Sequence, residues 1–337
     1  MWEYVRTATQ QDMKTINDSP ILRGMGYFEE ILTLKDQLKF DKILKFPEHF
    51  ENIVIAGMGG SGSIGRLFQE LYSKKPVTVV ESYDIPDFVD GNTFFIAVSY
   101  SGNTEETLSA TKKALERGAQ VKAITTGGRL KDMVNHSVIV PDGMQPRSAT
   151  GYLLLPLLKG ALIFSEDEYR ETMEVLSKMD EDTSEFRRMA EEINVHKAIP
   201  VILSTPPFMS ASYWWKTQFN ENSKMLAYSA FFPELNHNDL VAMNQTFRME
   251  EFYYILLESP DTDETIQKRI RLTEKLSGRK FNRIMGEGKS MLSHLFSLLH
   301  GSDFVTYYLA ELRNVDPIDV QIIEDFKAEM GKPTSFQ

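Results

Sequence analysis

Two short polar turns contain the residue types that could bind a phosphate group. The first, GMGGSGS at residues 57–63, follows an apolar run and leads into a helical stretch. Its glycines let the backbone approach a ligand closely, and the N–H groups and dipole at a helix N-terminus attract an anion. The second, SYSGNTEE at residues 99–106, places three hydroxyls and an amide at the start of the next helix. Together these groups could surround one phosphate dianion.

Each turn alone also has other interpretations. The first satisfies the pattern G-x-G-x-x-G over residues 57–62, with Glu81 at the end of the next strand, where a dinucleotide fold needs a ribose-binding acid. In the second, Asn103 and Glu106 fit an N-cap with its capping-box partner, and either turn could be purely structural. Both turns would lie at the carboxyl edge of one sheet, where open α/β folds bind ligands, and this favours a shared phosphate site. A third turn, TTGG at 125–128, adds to the same edge.

Apolar runs that alternate with helical stretches are expected to position these turns. This alternation is typical of a parallel sheet covered by helices on both faces, and it occurs twice along the chain. The predicted strands of the first half are residues 52–57, 77–82, 93–99, 121–126 and 137–141, and those of the second half are 199–205, 225–232, 252–259 and 281–286.

The chain of 337 residues is too long for one hydrophobic core, and its length favours two domains. Proline, glycine and serine come together at residues 142–151, just before a strongly apolar run. We therefore predict a helical lead-in over residues 1–48, a first domain over 49–152 with the phosphate-binding turns, and linking helices with a second domain over 153–337.

Composition excludes several classes of function. The net charge of -11, with 37 basic and 48 acidic residues and no basic block, argues against nucleic-acid binding. No apolar run is long enough to cross a membrane and no secretory signal is visible, so we expect a cytoplasmic protein. The absence of cysteine excludes thiol chemistry and Cys-ligated metals. An anionic substrate would need a local set of donors that works against the overall charge.

The two turns in this order resemble the sugar isomerase (SIS) domain, which binds phosphosugars in many enzymes and some regulators. The resemblance implies an α/β protein with two SIS (flavodoxin-like) domains, each a parallel sheet flanked by helices. In that family the hydroxyls of these turns hold the sugar phosphate, and the G-x-G-x-x-G match is then incidental. The resemblance assigns phosphate binding to Gly60, Ser61, Ser99, Ser101 and Thr104.

Four further segments resemble the bifunctional phosphoglucose/phosphomannose isomerases of prokaryotes. They are PRSATGY at 146–152, FNENSK at 219–224, ELNHND at 234–239 and YLAELRNVDPIDVQIIEDFK at 308–327. The resemblance implies a homodimer with its active site at domain and subunit interfaces. It also implies hexose 6-phosphates as substrates, with fructose 6-phosphate interconverted with glucose 6-phosphate and mannose 6-phosphate through a cis-enediol intermediate.

The same resemblance assigns the catalytic roles. Glu221 resembles the base that moves a proton between C1 and C2, a task that suits a carboxylate. His237 resembles the ring-opening group, which in this family comes from the partner subunit, and Arg147 resembles the cation that stabilises the enediolate. Lys327 is the candidate partner of His237 in ring opening, with Lys332 nearby as an alternative. This mechanism needs no metal and no cofactor.

Other interpretations of these residues stay open at the level of sequence. Glu221 could be a surface acid at a helix end, His237 a structural histidine, and Arg147 part of a cap or an interdomain salt bridge. A non-catalytic SIS module that senses a phosphosugar is the main alternative function, and a dinucleotide oxidoreductase is the next. No role is assigned to the remaining histidines, which are His49, His136, His196, His294 and His300.

Overall fold

A computed structural model of the chain describes residues 26–245 and 247–330. The chain divides into two compact units, Met1–Met173 and Glu174–Gln337, and each contains its own parallel sheet flanked by helices. The predicted α/β class with two such sheets is confirmed. The first unit includes the whole of the apolar helix Thr150–Ala161.

Two short helices begin the described chain, α1 Tyr27–Leu32 and α2 Leu34–Gln37. The helical lead-in predicted over residues 1–48 is wrong beyond them, since residues 38–51 form no helix. The part of that prediction that falls on residues 1–25 lies outside the described residues.

Tertiary contacts explain why the segment after α2 is not helical. Leu38, Phe40 and Leu44 are buried. The Leu44 N–H donates to the Pro156 carbonyl at 3.0 Å, and the Lys159 ammonium donates to the Phe40 carbonyl at 2.8 Å. The segment therefore satisfies its backbone groups against a later helix rather than within itself.

Five parallel strands form the sheet of the first unit. They are β1 Asn52–Ala56, β2 Val77–Val80, β3 Thr93–Val98, β4 Gln120–Thr125 and β5 Ser137–Ile139. Their order is β2-β1-β3-β4-β5, the order of flavodoxin-like folds. The central strand β3 is buried along its whole length, and its continuous apolar run reflects helices on both faces.

Four helices cover this sheet, and they are α3 Gly60–Leu71, α4 Glu105–Glu116, α5 Gly128–Met133 and α6 Thr150–Ala161. The chain moves in opposite directions across the sheet after β1 and after β3, so right-handed crossovers place α3 and α4 on opposite faces. Val54 and Phe95 pack with Leu108 and Ala114 of α4 in the core of one face. The strands are thereby fixed from both sides, and their carboxyl ends share one edge.

The second unit repeats this plan with four parallel strands. They are β6 Ile199–Ser204, β7 Tyr228–Phe231, β8 Phe252–Glu258 and β9 Asn282–Met285, in the order β7-β6-β8-β9. This is the order of the first four strands of the other sheet, and it agrees with the predicted repetition of the architecture.

The α-helices that follow α6 range from 7 to 22 residues in length. They are α7 Glu166–Glu181, which begins in the first unit, α8 Ser184–His196, α9 Met209–Glu221, α10 Asp239–Gln245, α11 Glu264–Ser277, α12 Met291–Leu312 and α13 Gln321–Met330. α12 is buried along most of its length, and Trp215 of α9 donates its indole N–H to the Leu298 carbonyl at 2.7 Å. Among the described residues, no helix is both long and apolar enough to cross a membrane.

Candidate functional site

The two polar turns lie side by side where neighbouring strands end. Residues 57–59 leave β1 and residues 99–104 leave β3, its partner in the sheet. The chain departs from these strands in opposite directions, so this edge is the topological switch point at which open α/β sheets bind ligands. Glycine at position 57 lets the end of β1 lie close to the start of α3 and the end of β3. A Cβ there would lie 2.8 Å from the Ser61 carbonyl oxygen and 3.0 Å from the Val98 carbonyl oxygen.

The first turn brings a helix N-terminus to this edge. α3 begins at Gly60, with the nearly buried Ser61 in its first turn, and its N-cap residue Gly59 provides no side-chain cap. Its first backbone N–H groups are therefore suited to an anion. Glu81, the acid that the dinucleotide alternative needs, instead forms an ion pair with Arg66 of the same helix.

The second turn orients its hydroxyls by hydrogen bonds to its own backbone. The buried Ser99 Oγ lies 3.0 Å from Thr104 Oγ1 and accepts a hydrogen bond from the Gly102 N–H at 3.1 Å. Ser101 is exposed, and its Oγ accepts a longer bond, of 3.3 Å, from the Asn103 N–H. Three hydroxyls thus stand at the start of α4, and one of them is exposed to solvent.

The capping-box interpretation of the second turn is wrong. Thr104, not Asn103, is the N-cap residue of α4, and it makes no side-chain cap bond within the described residues. The Asn103 side chain instead accepts a hydrogen bond from the Arg129 N–H at 3.2 Å and donates to the Ser101 carbonyl at 3.2 Å. The asparagine braces the loop, and among the described residues the N-terminus of α4, like that of α3, has no side-chain cap.

The third turn packs directly on the second. Gly102 has a φ of 66°, and a Cβ there would clash with the Gly127 carbonyl oxygen. The Thr126 N–H donates to the Tyr100 carbonyl at 2.9 Å, and the Thr125 hydroxyl donates to the Gly127 carbonyl at 2.9 Å. This turn therefore shapes the loop at the predicted edge.

Arg147 comes to the first turn from a distant part of the sequence. It sits in a tight turn closed by a hydrogen bond from the Ser148 N–H to the Gln145 carbonyl, at 2.9 Å. A Cβ on Gly60 would lie 3.7 Å from the Arg147 Cα, so the two backbones are adjacent. The Arg147 guanidinium donates to Gln145 Oε1 at 3.1 Å and lies 5.4 Å from the centre of the Tyr27 ring.

The side chain of Arg147 is only 4% exposed, so a full positive charge is withdrawn from water next to the start of α3. Burying a charge is costly unless other groups compensate for it. In a protein of net charge -11, this buried cation supplies a local positive charge beside the first turn, where an anion could bind.

Tyr100 was not identified from the sequence as a site residue, although it lies between the two serines of the second turn. Its hydroxyl donates to the Pro141 carbonyl at 3.0 Å and accepts a hydrogen bond from the Met144 N–H at 3.1 Å. Burial raises the pKa of Tyr100 well above its usual range, so the phenol stays neutral. It ties the second turn to the loop that leads to Arg147.

In the second unit, Glu221 ends α9 and is followed by a strongly anchored pair of residues. Asn222 and Ser223 are fully buried, and both bond to Thr306 of α12. The Asn222 amide donates to Thr306 Oγ1 at 2.9 Å, and the Ser223 hydroxyl donates to the Thr306 carbonyl at 2.8 Å. These buried bonds fix the backbone beside Glu221, which is itself partly exposed.

A groove of about 510 Å³ opens beside Glu221. It is lined by residues 220–221, 224–226 and 319–323. The Lys224 ammonium donates to the Glu221 carbonyl at 2.6 Å and to the Pro317 carbonyl at 3.4 Å, which joins the C-terminal segment to this end of α9.

Neither His237 nor Lys327 lines this groove, although Lys327 lies on α13, whose first turn does. His237 is exposed at the end of a short 3-10 helix whose Leu235 is buried in the core. Lys327 is exposed on α13, and its ammonium lies 2.7 Å from Glu324 Oε1 on the same helix. Lys332 lies outside the described residues. Within residues 26–245 and 247–330, no cluster of three or more acidic or histidine side chains could hold a metal ion.

Family models match both units of the chain. Residues 48–152 match the SIS domain, and residues 183–330 match the bacterial phospho-glucose isomerase C-terminal SIS domain. A bifunctional phosphoglucose/phosphomannose isomerase of Thermoplasma acidophilum is 51% identical over 307 residues, which are 91% of this chain and 98% of that protein. The chain belongs to the bifunctional phosphoglucose/phosphomannose isomerase family.

Two more distant relatives carry different names. A bifunctional phosphoglucose/phosphomannose isomerase of Aquifex aeolicus is 34% identical over 88% of this chain and 96% of that protein. A D-glucosamine-6-phosphate 4-epimerase of Sulfolobus acidocaldarius is 27% identical over 81% of this chain and 87% of that protein.

Solved structures share the fold of the family at low identity. A hypothetical protein of Thermus thermophilus superposes with a TM-score of 0.73 at 14% identity, over 95% of this chain and 92% of that one. The C-terminal domain of glucosamine-fructose-6-phosphate aminotransferase from Francisella tularensis superposes with a TM-score of 0.63 at 14% identity, over 86% and 95%.

Proposed function

We propose that this protein is a phosphosugar aldose-ketose isomerase that interconverts fructose 6-phosphate with glucose 6-phosphate and mannose 6-phosphate. The main support is the buried Arg147 guanidinium beside the first polar turn, at the switch point of the first sheet. Relatives at 51% and 50% identity are named for this pair of activities. They do not favour the non-catalytic phosphosugar sensor considered from the sequence.

The sugar phosphate binds at the two turns in this proposal. The N-termini of α3, at Gly60, and of α4 offer backbone N–H groups and positive dipole ends. Ser61, Ser99, Ser101 and Thr104 add hydroxyl donors, which bond strongly to a charged phosphate oxygen. These local donors explain how an acidic protein retains a dianionic substrate.

The proton transfer in this proposal uses one base and one cation. The Glu221 carboxylate takes the C2 proton of the aldose, and the C–H electron pair forms the C1–C2 double bond while the C1 carbonyl pair moves onto O1. A proton passes from O2 to O1, and Glu221 delivers to C1 a proton that has partly exchanged with solvent, which leaves the C2 carbonyl of the ketose. Arg147 stabilises the oxyanion that develops, because a fixed cation in a water-poor site needs no reorganisation. His237 and Lys327 open the pyranose ring by proton transfer at O5 and O1.

We also propose that the enzyme acts as a homodimer in which His237 completes the site of a second copy. His237 is exposed and does not line the groove at Glu221, which supports a role outside its own chain. α13 has no buried residue, although Ile322 and Phe326 are apolar, and Tyr228 of the edge strand β7 is exposed as well. Ile322 and Phe326 are four positions apart and so share one exposed face of α13, an apolar surface that the second copy covers in this proposal. A cytoplasmic location remains part of this proposal.

The test is a coupled assay of purified protein with fructose 6-phosphate, read separately for glucose 6-phosphate and mannose 6-phosphate. Both products are expected, and a folded protein that forms neither would refute the proposal. Glucosamine 6-phosphate, incubated in parallel, shows whether the protein instead acts as an epimerase.

The variant Glu221→Gln examines the base directly. It should abolish exchange of the C2 proton with solvent and turnover, yet bind fructose 6-phosphate with an affinity close to wild type. Full activity in this variant would place the base elsewhere. Asn220→Ala, which changes a neighbouring residue of the same groove, is the matched control.

A further inference from the structure

We propose that the N-terminal helices α1 and α2 are a positioning device for Arg147, with Glu30 as its central residue. This inference rests on the catalytic role proposed for Arg147 and extends it to residues that line neither polar turn. Three side chains of these helices hold the arginine: the Glu30 carboxylate, the Gln37 amide and the Tyr27 ring. All three lie more than a hundred positions before Arg147 in the chain.

Glu30 closes the turn in which Arg147 sits. Its Oε2 accepts one hydrogen bond from the Gln145 N–H, at 3.0 Å, and another from the Ser148 hydroxyl, at 2.8 Å. Gln145 and Ser148 are the two ends of the turn, so a single carboxylate oxygen holds both sides of Arg147. Glu30 is only 4% exposed, and a buried carboxylate holds such donors strongly because little water competes for them.

Gln37 holds the other end of the same loop. It is fully buried, and its amide nitrogen donates to the Ser148 carbonyl at 2.7 Å. Its amide oxygen accepts hydrogen bonds from the N–H groups of Gly151, at 2.9 Å, and Tyr152, at 3.3 Å. These are backbone groups of the first turn of α6, so Gln37 fixes where that helix starts relative to Arg147.

Tyr27 adds a contact to the guanidinium itself. The face of its ring lies 5.4 Å from Arg147 Cζ, within the range of a cation–π interaction. Tyr27 and Glu30 are three positions apart on α1, so they project from the same side of the helix. One short helix therefore holds both the backbone and the charge of Arg147.

These contacts hold the Arg147 backbone and its guanidinium in place. Because the Arg147 backbone is also adjacent to Gly60, they fix the guanidinium relative to the first polar turn. A displacement of about 1 Å in a catalytic group can lower turnover by about 100-fold without changing the chemistry available. Loss of Glu30 should therefore lower kcat and leave KM largely unchanged, because the phosphate donors of the two turns are not touched.

The experiment compares E30A with E30Q, which retains one oxygen able to accept both hydrogen bonds. We expect kcat to fall by about 100-fold in E30A and to recover in E30Q, with KM for fructose 6-phosphate within about twofold of wild type in both. Thr111→Ala is the control, because Thr111 is also buried and hydrogen-bonded in the first unit but lies on α4. If E30A fails to fold, S148A removes one of the two bonds and should lower kcat by about tenfold.

The double variant E30A/R147A separates positioning from general damage. If Glu30 acts through Arg147, E30A should have no further effect on kcat in the R147A background. Additive losses, equal losses in E30A and T111A, or wild-type kcat in E30A would each overturn the inference.

Amide hydrogen exchange gives a readout that does not need activity. The Gln145 N–H should exchange faster in E30A, because it loses its acceptor, while the amides of α4 keep their wild-type rates. Unchanged exchange at Gln145 overturns the inference even if the wild-type protein is an active isomerase. An inactive wild-type protein overturns the proposed function instead.

Discussion

Replacement of Ser101 by alanine should weaken substrate binding without affecting the chemical step. Ser101 is exposed at the second turn, and its one described side-chain bond within the turn is the 3.3 Å bond from the Asn103 N–H. The substitution therefore removes little from the folded protein. It does remove one of the hydroxyls that we assign to the phosphate.

The size of the effect follows from the kind of bond lost. A hydrogen bond to a charged group contributes about 1.5–3 kcal/mol. One factor of ten in affinity corresponds to about 1.36 kcal/mol. Since Ser101 is exposed and other donors remain, we expect the lower part of this range, and KM should rise by about 10- to 30-fold. The phosphate is bound equally in the ground state and the transition state, so kcat should stay near the wild-type value.

The assay measures KM and kcat for fructose 6-phosphate and, separately, the inhibition constant of inorganic phosphate. Both KM and the inhibition constant should rise by the same factor in S101A. Ser109→Ala is the matched control, since Ser109 is a half-buried serine further along α4 that donates to the Tyr83 carbonyl at 3.0 Å. Wild-type values of both constants in S101A, or equal changes in S109A, would refute the assignment of the second turn to the phosphate.

Three further predictions concern stability, association and metal. Burial alone would lower the pKa of His300, but Asp180 at 2.9 Å and Asp303 at 3.6 Å raise it above its usual 6.5. The contribution of His300 to stability should be complete below about pH 6.5 and lost as pH rises through the raised pKa. Urea unfolding of wild type and H300Q at pH 5.5 to 9 should therefore give a difference in the free energy of unfolding that shrinks as pH rises. A difference that stays constant with pH would contradict this. Phe326→Asp, on the exposed face of α13, should shift sedimentation from dimer toward monomer and lower activity, whereas the conservative Phe326→Leu should do neither. Prolonged treatment with EDTA should leave the isomerase rate unchanged, and a loss restored by a divalent cation would show that the proposed mechanism is incomplete.

Much of the fold could be predicted because the sequence patterns that indicate its strands and helices are local. The apolar runs around residues 52–57 and 93–99 became β1 and β3 with nearly the predicted bounds, since a buried parallel strand needs a continuous apolar sequence. The alternation of strands and helices determined the class of both sheets. The two polar turns were recognisable because they directly follow these strands.

Predictions from local sequence patterns were wrong where tertiary contacts compete with local hydrogen bonds. The apolar spacing after Gln37 is typical of a helix, yet residues 38–51 are not helical, because Leu44 bonds to the backbone near Pro156. Asn103 and Glu106 fit a capping box, yet the Asn103 side chain accepts a hydrogen bond from the Arg129 N–H, which lies in the first turn of α5. In both cases a partner distant in sequence offered a better hydrogen bond than the local one.

The sequence by itself determined the parallel α/β class, the two turns and the residue types available for catalysis, because each depends on neighbours within a few positions. Only the tertiary structure decided that Arg147 lies beside Gly60 and that Glu30 and Gln37 hold the turn around it. These contacts join segments separated by more than eighty residues, and no spacing along the chain encodes them. The reason is physical: buried polar groups need hydrogen-bond partners, and for the turn around Arg147 those partners come from Glu30 and Gln37, which only folding brings there.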